Sequence, residues 1–178
     1  MRVATRLAGA VAATVLVAAT LAACGSPTPD TTLPDLSGLG LEAVSCDDTT
    51  KMAGIGAEAA DAEVACWTGT PDGTFITTAD AILKDLLADN AGGEDVSKAL
   101  CWDDSVNGDD ASACRAILVG DVTDGMIVST VVALKDPAAV LGGLSDNPTD
   151  DEVAKALTGA DVEVLVFSEP AADETGDL

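Results

Sequence analysis

Histidine is absent from the 178-residue chain, and that omission removes Ser-His-Asp and Cys-His catalysis together with the usual zinc sites. Basic residues are scarce: eight Lys and Arg stand against 31 Asp and Glu. Nucleic acid is thereby excluded as a ligand, because its phosphates need cations to neutralise them. Aromatic residues make up only 2% of the chain, too few to form a stacking platform for sugars. No two cysteines are spaced Cys-x-x-Cys, which leaves a thioredoxin-like redox role without its motif. The longest apolar run, near the amino terminus, falls short of the ~20 residues a spanning helix needs.

What is present begins with an address. Arg2 and Arg6 form a cationic start, residues 7–21 an uncharged apolar run, and Leu21-Ala22-Ala23-Cys24 ends it with small residues that admit a peptidase. This segment resembles bacterial lipoprotein signals. The resemblance implies that residues 1–23 are removed, and that Cys24 is diacylated and becomes the first residue of the mature chain. It also implies a lipid-anchored domain on the extracytoplasmic face of the cell membrane. Two acyl chains suffice for stable anchoring, since each buried methylene contributes ~0.8 kcal/mol. Residues 24–40 carry Pro27, Pro29 and Pro34 among Ser, Thr and Asp. They read as a flexible tether that holds the domain ~20 Å from the headgroups.

All 31 acidic residues follow the signal, and six basic ones remain with them, a formal charge of −25 for the mature chain. Anionic headgroups repel such a domain, so the acyl anchor on Cys24 is its evident membrane attachment. Cys46, Cys66, Cys101 and Cys114 remain, an even number in an exported chain, and structural disulfides are expected. Three pairings are open; Cys46 with Cys66 and Cys101 with Cys114 close the smaller loops and staple each half of the domain.

Residues 41–169 are long enough for one core, and residues 170–178 read as a disordered acidic tail. Within the domain, residues 62–68 read as a strand, Thr70-Pro71-Asp72-Gly73 as a turn and residues 74–78 as the returning strand. Residues 80–90 then set Ile82, Leu83, Leu86 and Leu87 on one helical face. A second unit has a strand at 115–121, a turn at Thr123-Asp124-Gly125 and an apolar strand at 126–134 suited to cover on both faces. Asp136-Pro137 opens a short helix. Thr149 and Glu152 form a capping box for another helix, which Gly159 ends, and residues 161–168 form the last strand. The expected class is α+β: a mostly antiparallel sheet built from two hairpin-plus-helix units, with helices packed on it and two disulfides. Residues 72–78 and 124–130 align in sequence, so a duplication is one account of the two units.

Chemistry has few places to reside. Asp103, Ser105 and Asn107 alternate ahead of Gly108 as in the first half of a calcium loop, with Asp109 close by; the twelfth position, however, is Cys114 rather than a bidentate carboxylate. The loop is a calcium candidate on the first count only. Trp67 and Trp102 each adjoin a cysteine, and the expectation is that each indole covers a disulfide in the core. Gly54-Ile55-Gly56-Ala57-Glu58-Ala59 matches a relaxed dinucleotide fingerprint without its βαβ context and reads as a small-residue helix surface. No catalytic residue is assigned. The function expected is a non-catalytic binding or adaptor role in the envelope, toward a protein or a small ligand. A carboxylate-based hydrolase and a calcium-dependent binding module are the alternatives.

Overall fold

In a computed structural model of the chain, residues 29–46, 63–108, 110–145 and 147–171 are described. The expected signal segment, Cys24, residues 47–62 with their glycine motif, and the expected acidic tail beyond residue 171 lie outside them.

The centre of the sheet follows from β-branched density. The segments Ala111–Val119 (β5), Met126–Leu134 (β6) and Val162–Pro170 (β7) are rich in Val, Ile and Ala, and they pair antiparallel in long registers. Strand alternation divides their side chains. Ile117, Val128, Val132, Val164 and Val166 point to one face and are fully buried there, while Cys114, Val131, Leu165 and Phe167 point to the other. Both faces are largely buried, as the nearly continuous apolar character of residues 126–134 predicts. Leu41–Val44 (β1) and Glu63–Gly69 (β2) extend the sheet beyond β7. The two-residue pieces Glu94–Asp95 (β3) and Ser105–Val106 (β4) pair with β5 at the opposite end. The order is β1-β2-β7-β6-β5-β3, with β4 also on β5, and every pairing is antiparallel.

The helix Phe75–Asp89 (α1) packs across β5 and β6. Phe75, Ala79, Ile82 and Leu86 recur at helical spacing and are all fully buried. Each large one contributes roughly 1.5–3 kcal/mol by leaving water. The helix begins five residues before the expected start at residue 80, and residues 74–78 are therefore not the returning strand that their β-branched composition predicts. Thr74 is the N-cap: its hydroxyl accepts from Thr77 N–H at 3.2 Å while Thr77 Oγ1 accepts from Thr74 N–H at 2.9 Å. Thr78 donates its hydroxyl to the Thr74 carbonyl at 2.8 Å. Local bonds of this kind satisfy a helix start even in Thr-rich sequence, and Phe75 gains a place in the core.

The first of the two expected hairpin-plus-helix units is therefore replaced: β2 pairs with β1 and β7, and α1 follows it directly. The second has the β5-β6 hairpin followed by Pro137–Leu141 (α3) and Asp150–Leu157 (α4). The aligned segments 72–78 and 124–130 enter a helix in one case and a strand in the other, which removes their structural equivalence as a ground for duplication. The caps foreseen for the later helices are present. Asp136 accepts from Ala139 N–H, and Thr149 and Glu152 cap reciprocally. Glu152 sits below the ordinary carboxylate range because it accepts the Thr149 N–H and hydroxyl.

Most of the segment expected to be a tether, residues 29–40, packs on the domain. Packing begins by Thr32, whose N–H and carbonyl both bond to the buried side chain of Asn90 at 2.8 and 3.0 Å, just past the end of α1. Leu36, in a 3-10 turn over Leu36–Leu39, is fully buried in the core. Gly120 adopts φ +86°, and a side chain there would meet Pro29 Cγ at 3.2 Å. Residues 29–40 therefore belong to the domain, because Leu33, Leu36 and Leu39 supply apolar contacts that outweigh the polar, proline-rich composition around them. The carboxyl-terminal edge moves too: β7 runs to Pro170, and Ala171 N–H bonds to the Gly125 carbonyl at 2.9 Å.

Candidate functional site

Both disulfides form in the pairing that closes the smaller loops. Cys46–Cys66 joins residues 20 apart and Cys101–Cys114 residues 13 apart, with Cα–Cα distances of 5.2 and 5.4 Å. Contrary to expectation, neither tryptophan covers its disulfide inside the core. Trp67 follows Cys66 along a strand, so alternation sends it to the opposite face, where it packs against the main core while Cys66 packs with Leu165 and Phe167. Trp102 is 44% exposed at the surface beside Cys101.

The chain from residue 94 to 110 runs along the outer edge of β5. It carries β3, the one-turn helix Ser97–Leu100 (α2), Cys101 and β4 in that order. Arg115, the only arginine after Arg6, organises its centre. Its guanidinium donates to Asp104 at 2.7 and 3.1 Å, to Asp80 of α1 at 2.8 Å and to the carbonyl of Cys114 at 2.7 Å. The bonds to Asp104, and then those to Asp80, raise the Arg115 pKa against the opposing effect of burial. Ser97 closes the next backbone positions: its hydroxyl accepts from Ala116 N–H at 3.0 Å and donates to Asp95 at 2.6 Å, and Val96 N–H bonds to the Ala116 carbonyl at 3.0 Å. Asp95 is held below the ordinary carboxylate range, first by the Ser97 hydroxyl and then by the Ser97 N–H, with Arg115 adding attraction.

The residues singled out for calcium lie in this wrap. Ser105 and Asn107 belong to a hairpin: Ser105 Oγ donates to the Asp110 carbonyl, Asn107 Nδ2 donates to Ser105 Oγ, and Asn107 Oδ1 accepts from Asp110 N–H. Those oxygens stabilise the turn between β4 and β5. Asp103 is exposed nearby with Asp104 paired to Arg115, and Asp109 lies outside the described residues. Among the described residues no group of three or more His, Cys, Asp or Glu gathers as a metal site.

Two depressions flank the wrap. One, of about 360 Å³, is polar and holds Asp80, Asp95, Lys98, Trp102, Asp104 and Arg115. Its charges are largely spent on one another. The second, of about 290 Å³, lies on the sheet face away from α1 and is almost wholly apolar, with Leu118 and Ile127 as its floor. Val96, Ala99 and Leu100 from α2 and its flank form one wall, and Val122 and Ala171 complete it. Leu100 is 53% exposed and Val122 68%, the two most exposed large apolar side chains among the described residues. Sequence reasoning missed this site. Its one legible signal is Val122 inside the polar turn Asp121-Val122-Thr123-Asp124-Gly125, where an apolar residue serves neither the turn nor the core.

Among the described residues no helix is long and apolar enough to cross a membrane. Comparison with protein-family models, with curated proteins and with solved structures finds no match to this chain.

Proposed function

We propose that this protein is a lipid-anchored, non-catalytic binding module of the cell envelope, and that the apolar pocket between α2 and the β5–β6 hairpin is its binding surface. The observation that carries the reading is the exposure of Leu100 and Val122 around an apolar floor in a chain whose surface is otherwise dense in carboxylates. Exposed apolar clusters with polar surroundings mark sites of association.

The short tether bears on where the pocket works. Pro29 packs beside Gly120, in the same β5–β6 turn that carries Val122. Five residues, 24–28, precede Pro29, and five peptide units span at most roughly 18 Å. With Cys24 acylated, that turn stays near the headgroups, and the partner is one presented close to the membrane surface.

The test is position-specific photo-crosslinking in intact cells. A crosslinker at Val122 is expected to give a discrete adduct from the anchored protein, while the same group at Asp151 on α4 gives none, and Cys24→Ser releases the protein from the membrane fraction and weakens the adduct. Equal labelling from both positions, or none from Val122, sinks the pocket as a binding surface.

A further inference from the structure

We infer that the pocket accepts a peptide segment whose large apolar side chains are flanked by Lys or Arg on both sides; the inference rests on the binding-module reading above. Residues directly opposite in an antiparallel pair share a face. Glu94 pairs with Leu118, Leu118 with Ile127, and Ile127 with Glu169, so one row across the sheet reads Glu-Leu-Ile-Glu on the face that carries the pocket. The apolar floor thus has a carboxylate at each end. Asp121 and Asp124, both exposed, lie within two residues of Val122 in the same turn. Lys98, the nearest cation along the chain, belongs to the polar depression beside Asp95 and Trp102.

This arrangement selects by sign. An apolar centre with a charged rim excludes water at the anchor and steers the partner whose potential is opposite, while like charge at the rim rejects acidic segments and anionic headgroups. The row from Glu94 to Glu169 crosses three strand spacings, roughly 14 Å. A helical partner meets both ends with cations about nine or ten residues apart and apolar anchors at i, i+3, i+4 and i+7 between them. An extended partner needs them about four residues apart.

The probe is a labelled peptide of about 14 residues made of Leu and Lys with leucines at that helical spacing, titrated against the soluble domain by fluorescence anisotropy. Binding is expected for this peptide and not for its twin with Glu in place of Lys. Leu100→Asp with Val122→Asp, both at exposed positions, is expected to weaken it about tenfold or more by removing the apolar wall. Glu94→Gln with Glu169→Gln is expected to weaken it roughly threefold or more, and Asp150→Asn with Asp151→Asn, the same charge change on α4, by less than about twofold. Unfolding curves of each variant verify that the fold is intact. Equal losses from the rim pair and the α4 pair overturn the inference, because the peptide then reads only net charge. A dodecyl chain bound as well by the rim variant as by the parent, with the peptide unaffected by that variant, overturns the cationic partner but leaves the pocket as a binding surface. If the Leu100 and Val122 pair changes nothing with either probe, both readings fall.

Discussion

The two ends of the sheet solve the same problem with different means. At one end β1 is a regular four-residue strand, paired residue by residue from Leu41 opposite Gly69 to Val44 opposite Cys66, with the Cys46–Cys66 bond just beyond. At the other end β5 is too long for its neighbours. It is covered by two short ladders and, between them, by side chains: Ser97 on the Ala116 backbone, Arg115 on the Cys114 carbonyl, and the Cys101–Cys114 bond. Unpaired strand edges invite association. A regular ladder closes an edge but builds little else; the irregular wrap, by contrast, sets α2 against the sheet and thereby creates a wall for the apolar pocket. Irregularity at the β5 edge is where the proposed binding surface arises.

The largest effect that separates the two edges comes from their disulfides. Loops of 13 and 20 residues imply about 3 kcal/mol each by chain entropy. For a domain of this size that is a fall in melting temperature of roughly 10 °C. Cys101→Ala with Cys114→Ala is expected to show a second consequence. The wrap then keeps its two-residue strands and the side-chain bonds of Ser97 and Arg115 but no covalent tie, so its amides are expected to exchange faster and binding of the Leu–Lys peptide to weaken. Cys46→Ala with Cys66→Ala is expected to cost a similar stability and to leave peptide binding within about twofold, because β1 keeps its ladder and no pocket residue touches it. Hydrogen exchange read by mass spectrometry checks the contrast, and equal protection of residues 94–110 in both variants contradicts it.

A smaller effect isolates the polar clamp. Asp95 is held below its ordinary pKa by Ser97, so its stabilisation is present above the unfolded value near 4 and fades as pH falls through the lower folded value. Asp95→Asn is expected to cost roughly half a kcal/mol at neutral pH, a modest figure because water screens an exposed group. The gap between variant and parent is expected to close as pH falls below the unfolded value near 4. Comparing the two proteins at each pH cancels the relief of repulsion that the other carboxylates give both. A gap unchanged at the lowest pH shows that the ionised carboxylate was not the stabilising species.

The difference between the edges also explains what was legible in the sequence. The β6 strand, the Thr149–Glu152 box, the Asp136 cap and the disulfide pairing are local: each rests on residues whose neighbours in sequence are their neighbours in space. The start of α1 was not, since the β-branched residues at 74–78 favour a strand until Phe75 is counted with Ile82 and Leu86. The tether was misread for a related reason, as prolines and threonines mask a leucine every three residues from Leu33 to Leu39. Arg115 and the pocket were illegible. A lone arginine does not announce that Asp80, 35 residues away, and Asp104 will meet it, and the Glu-Leu-Ile-Glu row exists only across four strands.

The smallest expected effect tests whether the β1 edge is guarded by anything beyond its shortness. Val44 is 40% exposed at the end of the strand, and its neighbour Glu42 is the only charged side chain β1 offers. A lysine on an edge strand discourages pairing with another chain while costing little where the side chain already meets water. Val44→Lys is therefore expected to shift stability by no more than about 0.5 kcal/mol. Any change should be confined to self-association at high protein concentration, followed by light scattering. The chain's net charge of −23 already opposes contact between copies, so reduced association in the variant would mean that edge pairing survives this repulsion. If association is absent in both proteins, the four-residue length and the acidic surface together suffice, and the β1 edge needs none of the clamps that β5 carries.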